Sequence, residues 1–155
     1  MRLLLPFLAL TFFLLPLGAE ADAKPNPTAT FETSLGKFTV ELYFVQRYTG
    51  KKFFKVRTKY QAPEYLSYES VTLQGQNGTK LTIDTIYPQK QSMVDSGGVT
   101  EWSDNEIAEE DKIAKLAKSG SITVTFKGGN RYTFEMDEQQ LAAFREIVRK
   151  YQVTR

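Results

Sequence analysis

The sequence contains no cysteine and no histidine among its 155 residues. It therefore cannot build a Ser-His-Asp or Cys-His nucleophile, a histidine general base, or zinc, copper, haem and iron–sulfur sites with their usual ligands. It also cannot form a disulfide, on which small exported domains often depend. We expect no cofactor, and a fold that is held together by its apolar core alone.

An excess of charge of one sign is also absent. The chain has 20 Lys and Arg against 18 Asp and Glu, a net charge of +2, which does not predict a nucleic-acid partner. The acids are concentrated in residues 95–111, which hold seven acids and no base. This segment lacks the alternating acid-and-glycine spacing of a calcium loop. We interpret it as a solvated helix, with an oxygen-ligand calcium site left open as the alternative.

The longest apolar run stands at the start of the chain. Leu3 to Leu17 carries no charge, follows Arg2 and is followed by small residues up to Ala21. This order is typical of a cleavable signal peptide, with cleavage after Ala21 or, in a second frame, after Ala23. A membrane-spanning helix needs about 20 apolar residues. We therefore expect residues 1–21 to be removed and the protein to be exported, with no transmembrane segment left.

The absence of cysteine favours a bacterial periplasm or the medium as the destination. Residues 22–29 are polar and contain two prolines, which predicts a flexible tether. Residues 30–155 then form a single domain, long enough to bury a core. Its alternating apolar residues predict a first hairpin that turns at Leu35-Gly36 and a third strand from about Lys51 to Tyr60.

Two further hairpins have their register set by the apolar pattern. Leu73 must face Leu81, which leaves a three-residue loop that ends in Gly78, where a left-handed conformation is needed. In the same way, Phe126 must face Tyr132 across a glycine-rich loop. We therefore predict about seven strands in all.

Two helices are predicted from their capping patterns. Ser103 and Glu106 match a capping box, acids crowd the residues that follow, and Gly120 would end this helix. Asp137 and Gln140 match a second capping box near the C-terminus. The segment after this second box is amphipathic, and its apolar stripe consists of Leu141, Phe144, Ile147, Val148 and Tyr151.

The expected fold class is α+β, with about seven antiparallel strands in a barrel-like or strongly bent sheet. One helix is inserted between strands, and an amphipathic helix ends the chain. This element order resembles that of pleckstrin-homology-like barrels, here with a helix inserted before the sixth strand. The resemblance implies an architecture only, because a fold does not determine a function.

A second resemblance concerns the first hairpin. Residues 31–43, FETSLGKFTVELY, are similar to the opening strand pair of cyclophilin-type prolyl isomerases, and Leu73-Gln74-Gly75 is similar to their Gln-Gly-Gly-Asp segment. The resemblance implies prolyl isomerase activity. However, the family's Phe-His-Arg segment would fall near Phe53-Phe54-Lys55, and its later histidine is absent. An enzyme of this kind would be degenerate in its site residues.

One stretch of the chain combines basic and aromatic residues. From Arg47 to Lys59 there are six bases and no acid. Because alternate residues of a strand share a face, the face from Phe54 to Tyr60 would join the core. The opposite face, here called the basic stripe, is the candidate ligand-binding site and consists of Lys51, Phe53, Lys55, Arg57 and Lys59. Such a stripe suits phosphate, sulfate, an acidic polysaccharide, an anionic lipid headgroup or an acidic protein.

Two explanations of the basic stripe need no ligand. Lysines on an edge strand prevent edge-to-edge aggregation, and acids of residues 95–111 could neutralise the stripe within the molecule. Arg57 is the most informative residue of the stripe, because a planar guanidinium binds an oxyanion with two parallel hydrogen bonds.

These observations favour an exported, non-enzymatic binding or interaction module. Its basic stripe would engage an anionic ligand, an envelope polyanion or an acidic protein. One alternative is a small enzyme, either a degenerate cyclophilin-like prolyl isomerase or a carboxylate-dependent hydrolase. Another is a carrier of an apolar small ligand, with its pocket between sheet and helix. The sequence assigns no catalytic, cofactor or metal residues, and it does not predict an oligomeric state.

Overall fold

The computed structural model describes residues 28–154, so the predicted signal peptide and most of the predicted tether lie outside the described residues. Thr28 and Ala29, the last two residues of the predicted tether, are buried, and the amide of Leu42 donates to Thr28 Oγ1 at 2.8 Å. The described elements, in chain order, are β1 (Ala29–Thr33), β2 (Gly36–Gln46), β3 (Lys52–Ala62), β4 (Ser70–Gly75), β5 (Lys80–Asp84), β6 (Lys90–Asp95), β7 (Gly98–Ile107), α1 (Glu110–Ala117), β8 (Ile122–Lys127), β9 (Arg131–Glu135) and α2 (Glu138–Val153).

The strands form two sheets, and all neighbouring strands are antiparallel. Sheet A has the order β1-β2-β3-β7-β6, and sheet B has the order β5-β4-β8-β9. The chain leaves sheet A after β3, builds half of sheet B, returns to sheet A for β6 and β7, and then completes sheet B. The expected α+β class is confirmed, but residues 28–154 form nine strands in two sheets instead of about seven strands in one sheet. The sheets are open rather than closed into a barrel, and the pleckstrin-homology-like architecture is not confirmed.

The predicted hairpin registers are confirmed. Leu73 faces Leu81 in β4 and β5, and Gly78 has a φ of +81°, as the three-residue loop requires. Phe126 faces Tyr132 in β8 and β9. These registers were predictable because a slip of one residue would turn every buried side chain of the strand towards water.

The C-terminal helix is also confirmed with its cap. The amide of Gln140 donates to Asp137 Oδ1 at 2.8 Å, and the amide of Asp137 donates to Gln140 Oε1 at 3.1 Å. The predicted stripe of α2 packs on the core, with Leu141, Phe144, Val148 and Tyr151 buried. Within residues 28–154, neither helix combines the length and the apolar character that crossing a membrane would require.

The predicted position of the first helix is wrong at its N-terminal end. Ser103 and Glu106 lie in β7, and α1 begins only at Glu110. Instead of capping a helix, the Ser103 hydroxyl is buried and lies 2.8 Å from Thr58 Oγ1. The buried positions of β7 alternate as in other strands, but two of them are Glu101 and Ser103. Since both residues are polar, hydropathy does not reveal the alternation.

The core lies between the two sheets and is rich in aromatic rings. Phe38 of sheet A is fully buried, and its ring centroid lies 5.1 Å from that of Phe126 and 5.0 Å from that of Phe134 in sheet B. On the α2 side, the ring of Tyr151 lies 4.1 Å from that of Phe54. These contacts join both sheets and the helix in one apolar interior, which supplies the main stabilisation in the absence of disulfides.

A buried carboxylate fixes the loop between β3 and β4. Glu101 is 2% exposed, accepts hydrogen bonds from the amides of Leu66 (2.7 Å) and Ser67 (2.9 Å), and pairs with Lys90 Nζ at 3.0 Å. Ser67 has a φ of +54°, which residues other than glycine rarely adopt. Lys90 also donates to the carbonyl of Tyr68. Glu101 thus joins β6, β7 and the loop.

We predict that Glu101→Gln lowers the free energy of unfolding by about 3–5 kcal/mol, because it leaves the half-buried ammonium of Lys90 without its counter-charge. Equilibrium unfolding in urea measures this loss. Glu106→Gln is the control, since its ion pair with Arg47 is exposed and should be worth less than about 1 kcal/mol. Equal losses in the two variants would contradict the role of Glu101.

Candidate functional site

The basic stripe lies on β3 with the predicted division into two faces. Phe54, Val56, Thr58 and Tyr60 are buried in the core. Lys55, Arg57 and Lys59 lie on the opposite side of sheet A, here called its outer face. Lys51 precedes the strand and is exposed. Phe53, which the alternation placed on the exposed face, is instead buried at 8% exposure, and the guanidinium of Arg47 lies over its ring at 4.7 Å from the centroid.

The strand that carries the stripe is central, not an edge strand. It pairs with β2 on one side and with β7 on the other. Its backbone groups are therefore already used by neighbouring strands, and its lysines have no free edge to protect. Edge protection therefore does not explain the basic stripe. The other explanation that needs no ligand is neutralisation of the stripe by nearby acids.

Asp104 of β7 neutralises the middle of the stripe. It lies in register with Arg57, and its carboxylate is 2.7 Å from Arg57 Nη2 and 2.9 Å from Lys55 Nζ. The hydroxyl of Tyr43 donates to Asp104 Oδ2 at 2.6 Å. Although burial raises the pKa of the Asp104 carboxyl, the hydrogen bonds from Tyr43, Lys55 and Arg57 bring it below its ordinary value. Burial and the bond to Asp104 raise the pKa of Tyr43.

A second carboxylate, Glu41 of β2, lies on the other side of Arg57. Its Oε2 is 3.6 Å from Arg57 Nη1, and this buried oxygen accepts no hydrogen bond from any residue in 28–154. Burial raises the pKa of Glu41, and the attraction of Arg57 and Lys59 only partly opposes that rise. The guanidinium thus lies between two carboxylates whose pKa values shift in opposite directions.

The ends of the stripe carry its free positive charge. Within residues 28–154, neither Lys51 nor Lys59 makes an ion pair. Lys59 lies in register with Trp102 of β7, whose indole is half-exposed on the same outer face. A helix was predicted from Ser103 onward, so Trp102 was not expected beside the stripe, whereas Asp104 belongs to the segment 95–111 that was expected to supply neutralising acids. The outer face therefore combines cations, two acids and the rings of Tyr43 and Trp102.

No protein-family model matches the chain, and no curated protein or solved structure matches it either. The resemblance of residues 31–43 to cyclophilins rests on the hairpin of β1 and β2, which those residues form. Among the residues that the structure describes, no three acidic side chains lie close enough together to hold a metal ion. The calcium site left open at residues 95–111 therefore gains no support.

We predict that Asp104→Asn lowers the free energy of unfolding at pH 7 by about 1–2 kcal/mol, because Lys55 and Arg57 lose a half-buried, charge-assisted partner. The folded-state pKa of Asp104 is lowered, so its contribution is present above the ordinary value of 3.8 and disappears as the pH falls through the lowered value. Thermal unfolding between pH 2 and pH 7 should show the two proteins converging in acid. A difference independent of pH would contradict this role for the ionised carboxylate.

Proposed function

We propose that the protein is an exported, non-enzymatic interaction module. Its outer face on sheet A, centred on the basic stripe of Lys51, Phe53, Lys55, Arg57 and Lys59, contacts an anionic ligand or an acidic partner. Export to a bacterial periplasm or to the medium is part of this proposal and rests on the sequence of residues 1–21.

The central position of β3 carries the proposal. Three cations of the stripe lie in the middle of a five-stranded sheet, where aggregation control does not require them. The rings of Tyr43 and Trp102 flank these cations on the neighbouring strands. Aromatic residues and arginine are enriched where proteins contact other proteins. Among the anionic candidates, this composition favours an acidic protein over a free ion.

The acids of the module itself set the strength of such an interaction. A partner carboxylate that approaches Arg57 has to compete with Asp104, which already lies 2.7 Å from the guanidinium. Lys59 makes no ion pair with any residue in 28–154, so a partner carboxylate there meets only the weaker, longer-range attraction between Lys59 and Glu41. We therefore expect weak binding that begins at Lys59 and decreases as salt screens the charges.

A carboxylate-dependent hydrolase is the second candidate, and the pair of Glu41 and Asp104 favours it. The pKa of Glu41 is raised and that of Asp104 is lowered, which is the division expected of a general acid and its ionised companion. Arg57 occupies the space between the two carboxylates, however. The apolar carrier is disfavoured, because buried side chains of α2, among them Phe144 and Val148, fill the interior under the sheets.

The test is retention of the protein on immobilised poly-glutamate across a series of salt concentrations. We predict that Lys59→Gln binds about threefold more weakly, because it removes a cation that makes no ion pair with any residue in 28–154. Asp104→Asn should bind more strongly, because it releases Lys55 and Arg57 from their internal counter-ion.

Two variants at the capping positions of α1 make the same changes in charge outside the strands of sheet A. Lys118→Gln matches the loss of a cation, and Glu109→Gln matches the loss of an acid. Both should elute with the wild type once net charge is allowed for. If Lys59→Gln elutes with Lys118→Gln, and Asp104→Asn with Glu109→Gln, retention follows net charge alone and the outer face of sheet A is not a binding site.

A further inference from the structure

Sheet B also has an outer face, and a row of hydroxyls crosses it. The row contains one threonine from each strand, and each threonine lies in register with the next: Thr82, Thr72, Thr125 and Thr133. The hydroxyls of Thr72 and Thr82 are 3.2 Å apart, and those of Thr125 and Thr133 are 3.0 Å apart. A hydroxyl has one donor and two acceptor positions, so each member of a pair keeps capacity for another partner.

Three cations adjoin this row of threonines. Lys127 of β8 and Arg131 of β9 lie directly opposite each other on one side of the row, and Lys80 of β5 lies on the other side. None of the three makes an ion pair or a side-chain hydrogen bond with any residue in 28–154. Like charges that face each other across two strands destabilise a sheet. Arg131 and Lys80 lie on the two edge strands of sheet B, where cations hinder edge-to-edge pairing. Lys127 lies on the inner strand β8, so edge protection does not account for its place opposite Arg131.

The three cations and three of the four threonines line one depression in the surface. Its volume is about 250 Å³, and its lining contains all three cations and no acid, together with Ser70, Thr72, Gln74, Thr82 and Thr125. The two acids of this face lie in register with Ser70 and Thr123, outside the lining: they are Asp84 and Glu135. The depression is therefore positively charged and lined with hydroxyl and amide groups, in contrast to the basic stripe, where Asp104 and Glu41 accompany Arg57.

We infer that this depression binds the phosphate or sulfate group of a hydroxylated molecule, such as a phosphorylated or sulfated sugar. The guanidinium of Arg131 and the ammonium of Lys127 would bind the oxyanion, because both donate charge-assisted hydrogen bonds. Ser70 lies in register with Lys127 and offers a hydroxyl to a third oxygen. The row of threonines lies next to this point and would offer hydrogen bonds to the hydroxyls of the rest of the molecule.

This site is separate from the proposed function. It lies on sheet B, whereas the proposed function concerns sheet A. Its ligand is a phosphate or sulfate group attached to a hydroxylated molecule, whereas the outer face of sheet A is proposed to contact an acidic protein. Either site can exist without the other, so the failure of one leaves the other open. An experiment that locates the ligand on the protein tells them apart.

The test is a titration of the ¹⁵N-labelled protein, followed by the shifts of its backbone amides. Glucose 6-phosphate is compared with inorganic phosphate, inorganic sulfate and glucose. We expect glucose 6-phosphate to shift amides of β4, β8 and β9, inorganic phosphate and sulfate to shift the same amides with weaker affinity, and glucose to shift none below about 10 mM.

The double variant Lys127→Gln, Arg131→Gln should bind glucose 6-phosphate at least tenfold more weakly, because two charge-assisted contacts are lost. Its midpoint of thermal unfolding should equal or exceed that of the wild type, since a repulsive pair has been removed. The matched control is Lys112→Gln, Lys118→Gln, which removes the same charge at α1 and should bind as the wild type does. Arg131→Lys keeps the charge and loses the planar fork, so we expect intermediate affinity.

Three results would overturn the inference. The first is binding to the Lys127→Gln, Arg131→Gln variant with the affinity of the wild type. The second is a set of shifts confined to β2, β3 and β7, which would assign the phosphate to the basic stripe. The third is the absence of any shift with glucose 6-phosphate at about 10 mM, which would leave the depression without this class of ligand.

Discussion

The carboxylate of Glu101 joins parts of the chain that are distant in sequence, and the arrangement of sheet A depends on it. A carboxylate at 2% exposure is tolerated only where its oxygens are satisfied, and the amides of Leu66 and Ser67 with the ammonium of Lys90 satisfy them. Because side chains alternate along a strand, the register that buries Glu101 also turns Asp104 outward, where it meets Arg57. The register of β7 therefore determines both the buried contacts of Glu101 and the contact of Asp104 with Arg57 on the outer face.

The sequence predicted those elements whose buried positions are apolar. The hairpin of β4 and β5 and the helix α2 follow from local periodicity, a turn glycine and a capping box. Strand β7 was not predicted, because its buried positions include the polar residues Glu101 and Ser103. The hydrogen-bond partners of these two residues come from other strands and loops. The acids after Ser103 also imitate the start of a helix. The exposed edge strand β6 shows no buried apolar face at all.

The candidate site was also predicted only where local periodicity determines it. The two faces of β3 follow from a period of two, and the structure confirms that Phe54 and Tyr60 belong to the core. The segment 95–111 was expected to supply neutralising acids, but the choice of Asp104 depends on the register of β7 against β3, which joins residues about 47 positions apart in sequence. The cations of sheet B were not identified, although the predicted register of Phe126 and Tyr132 already places Lys127 opposite Arg131. Their shared face with Lys80 depends on the pairing of β4 with β8, which the sequence did not indicate.

The order in which the chain visits the two sheets has a consequence for how the molecule can be divided. A cut between β5 and β6 would give one fragment with three strands of sheet A and two of sheet B, and a second fragment with the remainder of both. Neither fragment would contain a complete sheet, so neither could enclose the apolar interior. We therefore expect no autonomous half-domain in this protein and a single cooperative unfolding transition, with the two outer faces lost together.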